Sequence, residues 1–482
     1  MAYYSVPMFF RIPLSILAIP IYTRYLTPAD YGIMELLDLT SLLIAALIGS
    51  NFGHSLYYYY AEAKTEEGKA QCISAAYYGS LFLTALGVVV GLAARGRIST
   101  LVFGTERYAD LFGLVFLTLA FSFPAEIGLS CLRALDRSRD FAIVSVARGI
   151  LGTVLNVVLL TVAHAGLRGM LWSSLIVTGA SAVYMAWYCR SWLRAQFNRP
   201  LIARLFLYAW PLGFSAVASL VLDLGDRYFL QRSVSLSDLG IYGLAYKFGM
   251  IVSLVSLVFN RYWKAQMFNV VQGPDGDRIY VKVCTYYVLI LTVSAVGLGV
   301  VLPPVLKVIV GPAFASAAKY VGWIAIIYVF RGLGDYFRNV FFLSKKTGKD
   351  AVIMWAGALL CVAGYVVLIP WLKLWGAILA TGISFVGMLV LSFVEAQRVR
   401  RFALDLGRLA WIVGSGVAVV AVFGLVQETH IVWQLLAGTG CVIAYVAVLL
   451  LFRVVYKEDE MRVRERLARF FVRRKPASAV GV

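Results

Sequence analysis

The sequence predicts an all-α polytopic membrane protein with about 14 transmembrane helices, built as two six-helix lobes in parallel repeat plus two C-terminal helices. Three observations carry that prediction. Hydrophobic residues make up 61% of the 482 residues and charged residues only 14%, with a mean hydropathy of +0.82. Soluble chains are nearer half apolar and a quarter charged. The apolar residues are gathered into stretches of about 20, the length that crosses a bilayer as a helix. No stretch alternates with period two over ten residues, so a β-barrel is not expected. This composition excludes a soluble enzyme, a disordered chain and a disulfide-stapled secreted domain. The formal net charge of +19 suggests basic loops facing an anionic leaflet, and no nucleic-acid partner is expected.

In chain order the expected spans lie near 5–26, 31–53, 70–94, 108–131, 141–163, 167–189, 205–225, 238–260, 281–305, 315–342, 350–371, 374–397, 408–426 and 430–454. The first lacks a basic lead and a small-residue cleavage site, so it reads as a retained helix and not a signal peptide. The others have nearly continuous apolar faces, unlike amphipathic surface helices. With the N-terminus inside, the inner loops and the tail hold 29 Lys and Arg residues and the outer loops nine. That asymmetry places both termini in the cytoplasm, in the inner membrane of the cell. The longest loop, 261–281, carries the turn Gly273-Pro274-Asp275-Gly276, and no loop is long enough for a domain. Beyond the spans, Val463, Leu467, Phe470 and Phe471 recur at helical spacing among arginines, so the tail reads either as an amphipathic helix on the inner leaflet or as a solvated basic segment.

The six cysteines, Cys72, Cys131, Cys189, Cys284, Cys361 and Cys441, are scattered through apolar stretches. They form neither a CxxC nor a Cys/His cluster, so no metal site is indicated and they read as small buried hydrophobes. No G-x-x-x-x-G-K-[ST] pattern occurs, so this chain is not expected to use ATP, and no cofactor is expected.

An internal repeat organises the spans. Leu26-Thr27-Pro28-Ala29-Asp30-Tyr31-Gly32-Ile33 opens the second, and Val234-Ser235-Leu236-Ser237-Asp238-Leu239-Gly240-Ile241 opens the eighth, 208 residues on; at the same offset Arg24 falls on Arg232. An Asp in the first turn satisfies free N–H groups and suits the positive end of the helix dipole. Six spans separate the copies, an even number, so the two halves share one orientation, as in one class of secondary transporters. The expected divisions are an N-lobe at 1–199, a C-lobe at 200–400, spans 13–14 at 401–455 and a basic cytoplasmic tail at 456–482.

Residues 20–33, PIYTRYLTPADYGI, resemble the first-loop signature of lipid-linked oligosaccharide flippases. Ser50–Leu56 with the following run Tyr57–Tyr60 resembles the end of their second helix. Residues 222–248, LDLGDRYFLQRSVSLSDLGIYGLAYKF, resemble their seventh-to-eighth helix signature. The chain is thereby similar to polysaccharide-unit flippases of the multidrug/oligosaccharidyl-lipid/polysaccharide exporter superfamily. The resemblance implies a transporter and not an enzyme. It implies a polyprenyl-(pyro)phosphate-linked oligosaccharide as cargo, moved across the cytoplasmic membrane by alternating access for surface or exopolysaccharide assembly. Membrane lipids and polysaccharide assembly proteins are the other implied partners.

Ionisable groups inside spans are costly and tend to face each other or a wet cavity. Arg11, Arg148, Lys247, Arg331 and Arg338 are the candidate substrate-binding residues, because guanidinium and ammonium groups offset the lost hydration of phosphate oxygens. Glu35, Asp38 and Asp335 are the candidates for coupling to H+ or Na+. Arg331, Asp335 and Arg338 are spaced four and three, along one helical face, and Glu35 and Asp38 are three apart. Each has a plainer explanation: an Arg331–Asp335 ion pair that only holds helices together, a Glu126–Arg148 packing pair, and an Asp226-Arg227-Tyr228 run that shapes an outer loop. Lys247 has no carboxylate within a turn on its own helix and needs a partner or a wet surface. Two other functions stay open: a cation-coupled multidrug exporter of the same superfamily, which would favour acidic groups over these five cations, and a non-transporting scaffold of a polysaccharide secretion complex.

Overall fold

The computed structural model describes residues 2–48, 52–193, 198–344, 346, 348–425 and 430–451. They form seventeen α-helices and two short 3-10 turns, with no strand among the described residues. The N-terminal part holds α1 (Ala2–Tyr25), α2 (Pro28–Ile48), α3 (Phe52–Glu62), α4 (Glu66–Phe103), α5 (Ala109–Ala134), α6 (Ser138–Thr161) and α7 (Gly166–Cys189). Next come α8 (Arg199–Leu224), α9 (Asp226–Leu230), α10 (Leu236–Gly249), α11 (Ile251–Gln272), α12 (Gly276–Ile309) and α13 (Ala318–Leu343). The last are α14 (Gly348–Leu372), α15 (Leu374–Val399), α16 (Leu406–Gly424) and α17 (Ile431–Leu451).

Among the described residues, thirteen helical segments are long and apolar enough to cross a membrane. They begin with Pro28–Glu62, so α1, expected as the first span, stands outside that set; it is a 24-residue helix carrying Pro7, Pro13 and Pro20. The expected loop 261–281 is mostly helical. The segment Leu236–Gln272 runs on past 261, and the chain reverses only at the predicted turn, after which α12 starts at Gly276. Arg261 and Lys264 ended the apolar stretch in the sequence, but exposed charges on one face do not end a helix whose other face buries Trp263, Met267 and Val271. The candidate tail helix around Val463 lies outside the described residues.

The chain divides into two compact units. The first comprises the described residues of Met1–Leu244, Lys307–Ala317 and Thr347–Met388. Its core gathers Phe52 and Leu56 of α3, Ile73 and Ala76 of α4, Ile127 and Cys131 of α5, Cys189 of α7 and Leu205 of α8. At its margin α6 buries only Ala142 and Leu160. Leu151 and Val154 on that helix stay exposed, the pattern of a helix facing lipid. The second unit comprises Ala245–Leu306, Ala318–Lys346 and the described residues from Leu389 on. Its centre is aromatic. Trp263 of α11 stacks on Tyr336 of α13 at 5.9 Å, Tyr280 of α12 stacks on Phe402 at 4.0 Å, and Phe259 stacks on Tyr287 at 4.1 Å. The hydroxyls are satisfied internally: Tyr336 donates to the Tyr280 carbonyl at 2.7 Å, and the Tyr287 and Ser256 hydroxyls share a 2.6 Å bond. Hydrocarbon offers no water to replace such bonds.

The repeated motif has one structural role in both copies. Thr27 and Asp30 close a capping box: Thr27 N–H donates to Asp30 Oδ2 at 3.0 Å and Asp30 N–H donates back to Thr27 Oγ1 at 3.2 Å. At the second copy Asp238 N–H donates to Ser235 Oγ at 3.1 Å, and that hydroxyl donates to Asp238 Oδ2 at 2.8 Å. The two copies then meet. A Cβ at Gly32 would lie 2.0 Å from the Leu236 carbonyl oxygen, and one at Gly240 would lie 1.9 Å from that of Pro28. The backbones touch where only hydrogen fits, the small-residue contact favoured between membrane helices. Gly240→Ala therefore forces α2 and α10 apart and should cost about 1–3 kcal/mol or more. A Gly149→Ala control, which meets nothing within 4 Å, should leave the melting temperature of the detergent-solubilised protein unchanged.

Candidate functional site

The most deeply buried charges lie in the first unit. Arg227 of α9 donates from Nε to Glu35 Oε2 of α2 at 2.8 Å and from Nη1 to Asp226 Oδ1 at 2.8 Å. Tyr242 of α10 donates to Asp226 Oδ2, and the Arg227 guanidinium lies 5.9 Å from the Tyr242 ring centre. Arg227 is only 1% exposed and Glu35 6%. Burial pushes the Asp226 carboxyl upward, while the Arg227 charge and the Tyr242 hydroxyl favour its ionised form. Beside this cluster the Tyr228 and Thr40 hydroxyls share a 2.8 Å bond. Asp226-Arg227-Tyr228 thus does more than shape a loop: it ties α9 to α2 across 192 residues of sequence.

The coupling candidates part company. Glu35 is held by Arg227, whereas Asp38, three residues on, is exposed. Three residues turn a helix by about 60° short of a full circle, enough to put one carboxylate in the packing and the other at its rim. Of the cations in the first unit, Arg148 of α6 donates to Glu126 Oε1 of α5 at 2.8 Å, the expected pair, with Arg148 24% exposed. The Arg11 side chain lies outside the described residues.

The remaining candidates lie in the second unit. Asp335 accepts a hydrogen bond from Arg338, one turn on. The setting of α13 is the informative part. Between Ile324 and Phe341 the only side chains not fully buried are Phe330, Arg331, Asp335 and Arg338. Within that stretch the accessible positions therefore carry all three charges, Arg331, Asp335 and Arg338, and the fourth charge of α13, Lys319, is exposed near its start. On α10, between Leu239 and Gly249, only Ile241 and Lys247 escape full burial. Behind the α13 stripe is a neutral polar network that the sequence did not flag. Asn339 donates to Asn260 Oδ1 at 2.7 Å, and Asn260 donates to the Ser256 carbonyl at 2.9 Å and to the Tyr287 hydroxyl at 3.3 Å. Asn in an apolar helix is its only sequence signal. No group of three or more metal-ligating side chains occurs among the described residues.

The family model described as "Polysaccharide biosynthesis protein" matches residues 1–261, more than half of the chain. This chain belongs to that family. The matched stretch contains the signatures at 20–33 and 222–248 and both copies of the repeat. No curated protein matches the sequence. Solved structures share the fold. The lipid II flippase MurJ in an inward closed conformation aligns with a TM-score of 0.74 at 13% identity, over 94% of this chain and 100% of its own. An inward-facing multidrug resistance MATE transporter of the MOP superfamily aligns with a TM-score of 0.61 at 15% identity, over 85% of this chain and 98% of its own. A MOP superfamily transporter from Pyrococcus furiosus, whose binding pocket is described as having reversed polarity, aligns with a TM-score of 0.52 at 15% identity, over 83% of this chain and 95% of its own. The architecture of this polysaccharide biosynthesis family member is thus the all-α transporter fold of the superfamily.

The buried and the half-exposed charges should respond differently to truncation. Arg227→Ala leaves two carboxylates buried around an empty place and should destabilise the protein by about 3–5 kcal/mol. Arg148→Ala, at a half-exposed pair, should cost under about 1 kcal/mol. Unfolding in detergent, followed by tryptophan fluorescence, separates the two.

Proposed function

We propose that this protein is a flippase that carries a polyprenyl-(pyro)phosphate-linked oligosaccharide across the cytoplasmic membrane by alternating access. The observation that carries the proposal is the charged stripe of α13. Arg331, Asp335 and Arg338 occupy the accessible face of a helix that is buried everywhere else along that stretch. In lipid that arrangement is expensive; beside water and an anionic head group it is favourable. Arg331, Arg338 and Lys247 would neutralise the phosphates in part, leaving the cargo releasable. Arg148 and Arg11 would extend the same chemistry into the N-terminal half, within lobes at 1–199 and 200–400. The family's description, polysaccharide biosynthesis, and the fold shared with a lipid II flippase support the reading. So do the inward-facing and outward-facing structures of MATE family transporters of the same fold. Multidrug export is disfavoured because cationic drugs call for acidic lining groups.

The deciding experiment is a lipid extract from cells lacking the protein, analysed by mass spectrometry for polyprenyl-linked glycans. A complete repeat unit should accumulate. The wild-type chain should clear it, and Arg331→Ala or Lys247→Ala, made at normal levels, should not. An unchanged lipid profile with normal surface polysaccharide would overturn the reading in favour of an exporter or a scaffold.

Coupling to H+ or Na+ belongs to the same proposal, with Asp335 as its acidic partner and Asp38 and Glu35 as the other candidates. When a cargo phosphate takes the arginines, Asp335 loses its counter-charge and becomes able to bind a cation. Asp335→Asn should then flatten the pH or Na+ dependence of glycan translocation in inverted vesicles, with cargo binding retained. A dependence equal to that of the wild type would remove Asp335 from the mechanism.

A further inference from the structure

The second unit contains a basic recess that the transport reading does not use. It lies at the C-terminal end of α15, has a volume of about 530 Å³, and is lined by Phe393, Val394, Gln397, Arg398, Arg400 and Arg401. Recesses of about 300–1,000 Å³ accommodate ligand-sized groups. Its walls are fixed by contacts independent of any ligand. Gln397 grips the following turn with two bonds to Phe402: Nε2 donates to the carbonyl at 2.9 Å and Oε1 accepts from the N–H at 2.9 Å. Phe402 is itself stacked on buried Tyr280. Arg400 Nε is bonded to Asp277 Oδ1 at 2.8 Å, which pins the wall to the start of α12.

The three guanidiniums are not equivalent. Arg398 is bonded to Glu395 and Arg400 to Asp277, whereas Arg401 has no carboxylate within 4 Å among the described residues and is exposed. The helix C-terminus behind them carries partial negative charge, which a cation there offsets. One unneutralised guanidinium thus remains to meet a ligand, and the neighbouring wall of Phe393 and Val394 is apolar. A single negative charge next to an apolar stem is the chemistry of a monoanionic phospholipid, with one phosphodiester and two acyl chains. A pyrophosphate, carrying more than one negative charge, would be left largely uncompensated. The positive-inside asymmetry puts this end of α15 at the inner leaflet, where anionic lipids are drawn to basic residues.

We propose that the recess at Gln397–Arg401 is a binding site for the head group of a monoanionic phospholipid, held by Arg401 and seated against Phe393 and Val394. The site is distinct from the charges on α13 and does not depend on their assignment.

Native mass spectrometry of the full-length protein in mild detergent tests it, with added phosphatidylglycerol, phosphatidylethanolamine or a polyprenyl pyrophosphate. The wild type should retain phosphatidylglycerol in preference to phosphatidylethanolamine. Arg401→Ala should weaken phosphatidylglycerol retention about fivefold, the effect of losing roughly 1 kcal/mol of attraction per basic residue near a membrane surface. Arg190→Ala, at an exposed arginine that packs on Trp187, should leave the preference intact. Three results would overturn the proposal: no phosphatidylglycerol preference in the wild type, equal losses in Arg401→Ala and Arg190→Ala, which would mean diffuse surface attraction, or tighter Arg401-dependent retention of polyprenyl pyrophosphate, which would make the recess a cargo site. Since Arg401 is exposed, its truncation should not unfold the protein, and an unchanged melting temperature checks this.

Discussion

The first unit depends on the place where two backbones meet at Gly32 and Gly240. That contact sets the register of α2 against α10, and a series of polar contacts follows down the same face of α2. One turn below Gly32, Glu35 packs against Gly243, where an added Cβ would come within 2.6 Å of its side chain. That position lets Arg227 reach Glu35, and it leaves Tyr242 beside Asp226. Further down, Thr40 meets the Tyr228 hydroxyl. A charged cluster this deeply buried is stabilising only if its geometry is held, because the loss of hydration is large and the attraction falls off steeply with misplacement. The close backbone contact supplies that precision.

The second unit is held together by different chemistry. Its centre has rings and neutral amides, with Ser256, Asn260, Tyr287 and Asn339 bonded to one another or to backbone. Neutral networks cost less to bury than ions and tolerate small shifts of the helices that carry them. The charges of α13 sit on the accessible side of this neutral core, not within it. In the proposed transport cycle they would change partners without disturbing what holds the helices together.

Much of this was legible in the sequence because the bilayer imposes coarse, periodic demands. Length and apolarity locate most of the helices, and the motif repeated 208 residues apart caps a helix in both copies. Side-chain spacing also placed Arg331, Asp335 and Arg338 on one stripe. Two things were not legible. The burial of Arg227 depends on a glutamate 192 residues away, and one sequence carries no sign of that pairing. The continuation of α11 past Arg261 was obscured because hydropathy reports where a helix leaves the lipid and not where it stops.

The exposure of α6 has a consequence for the history of the chain. The exposed positions of that helix, Leu151 and Val154 among them, answer mainly to the solvent around them, and there any aliphatic residue serves. Substitutions there accumulate almost neutrally, while α13, packed on nearly every side, is held close to its present residues. Descendants of a common ancestor should therefore diverge fastest along α6 and slowest along α13. Kinship among distant members would then be traced through the inner helices, while the lipid-facing ones keep little beyond their greasiness.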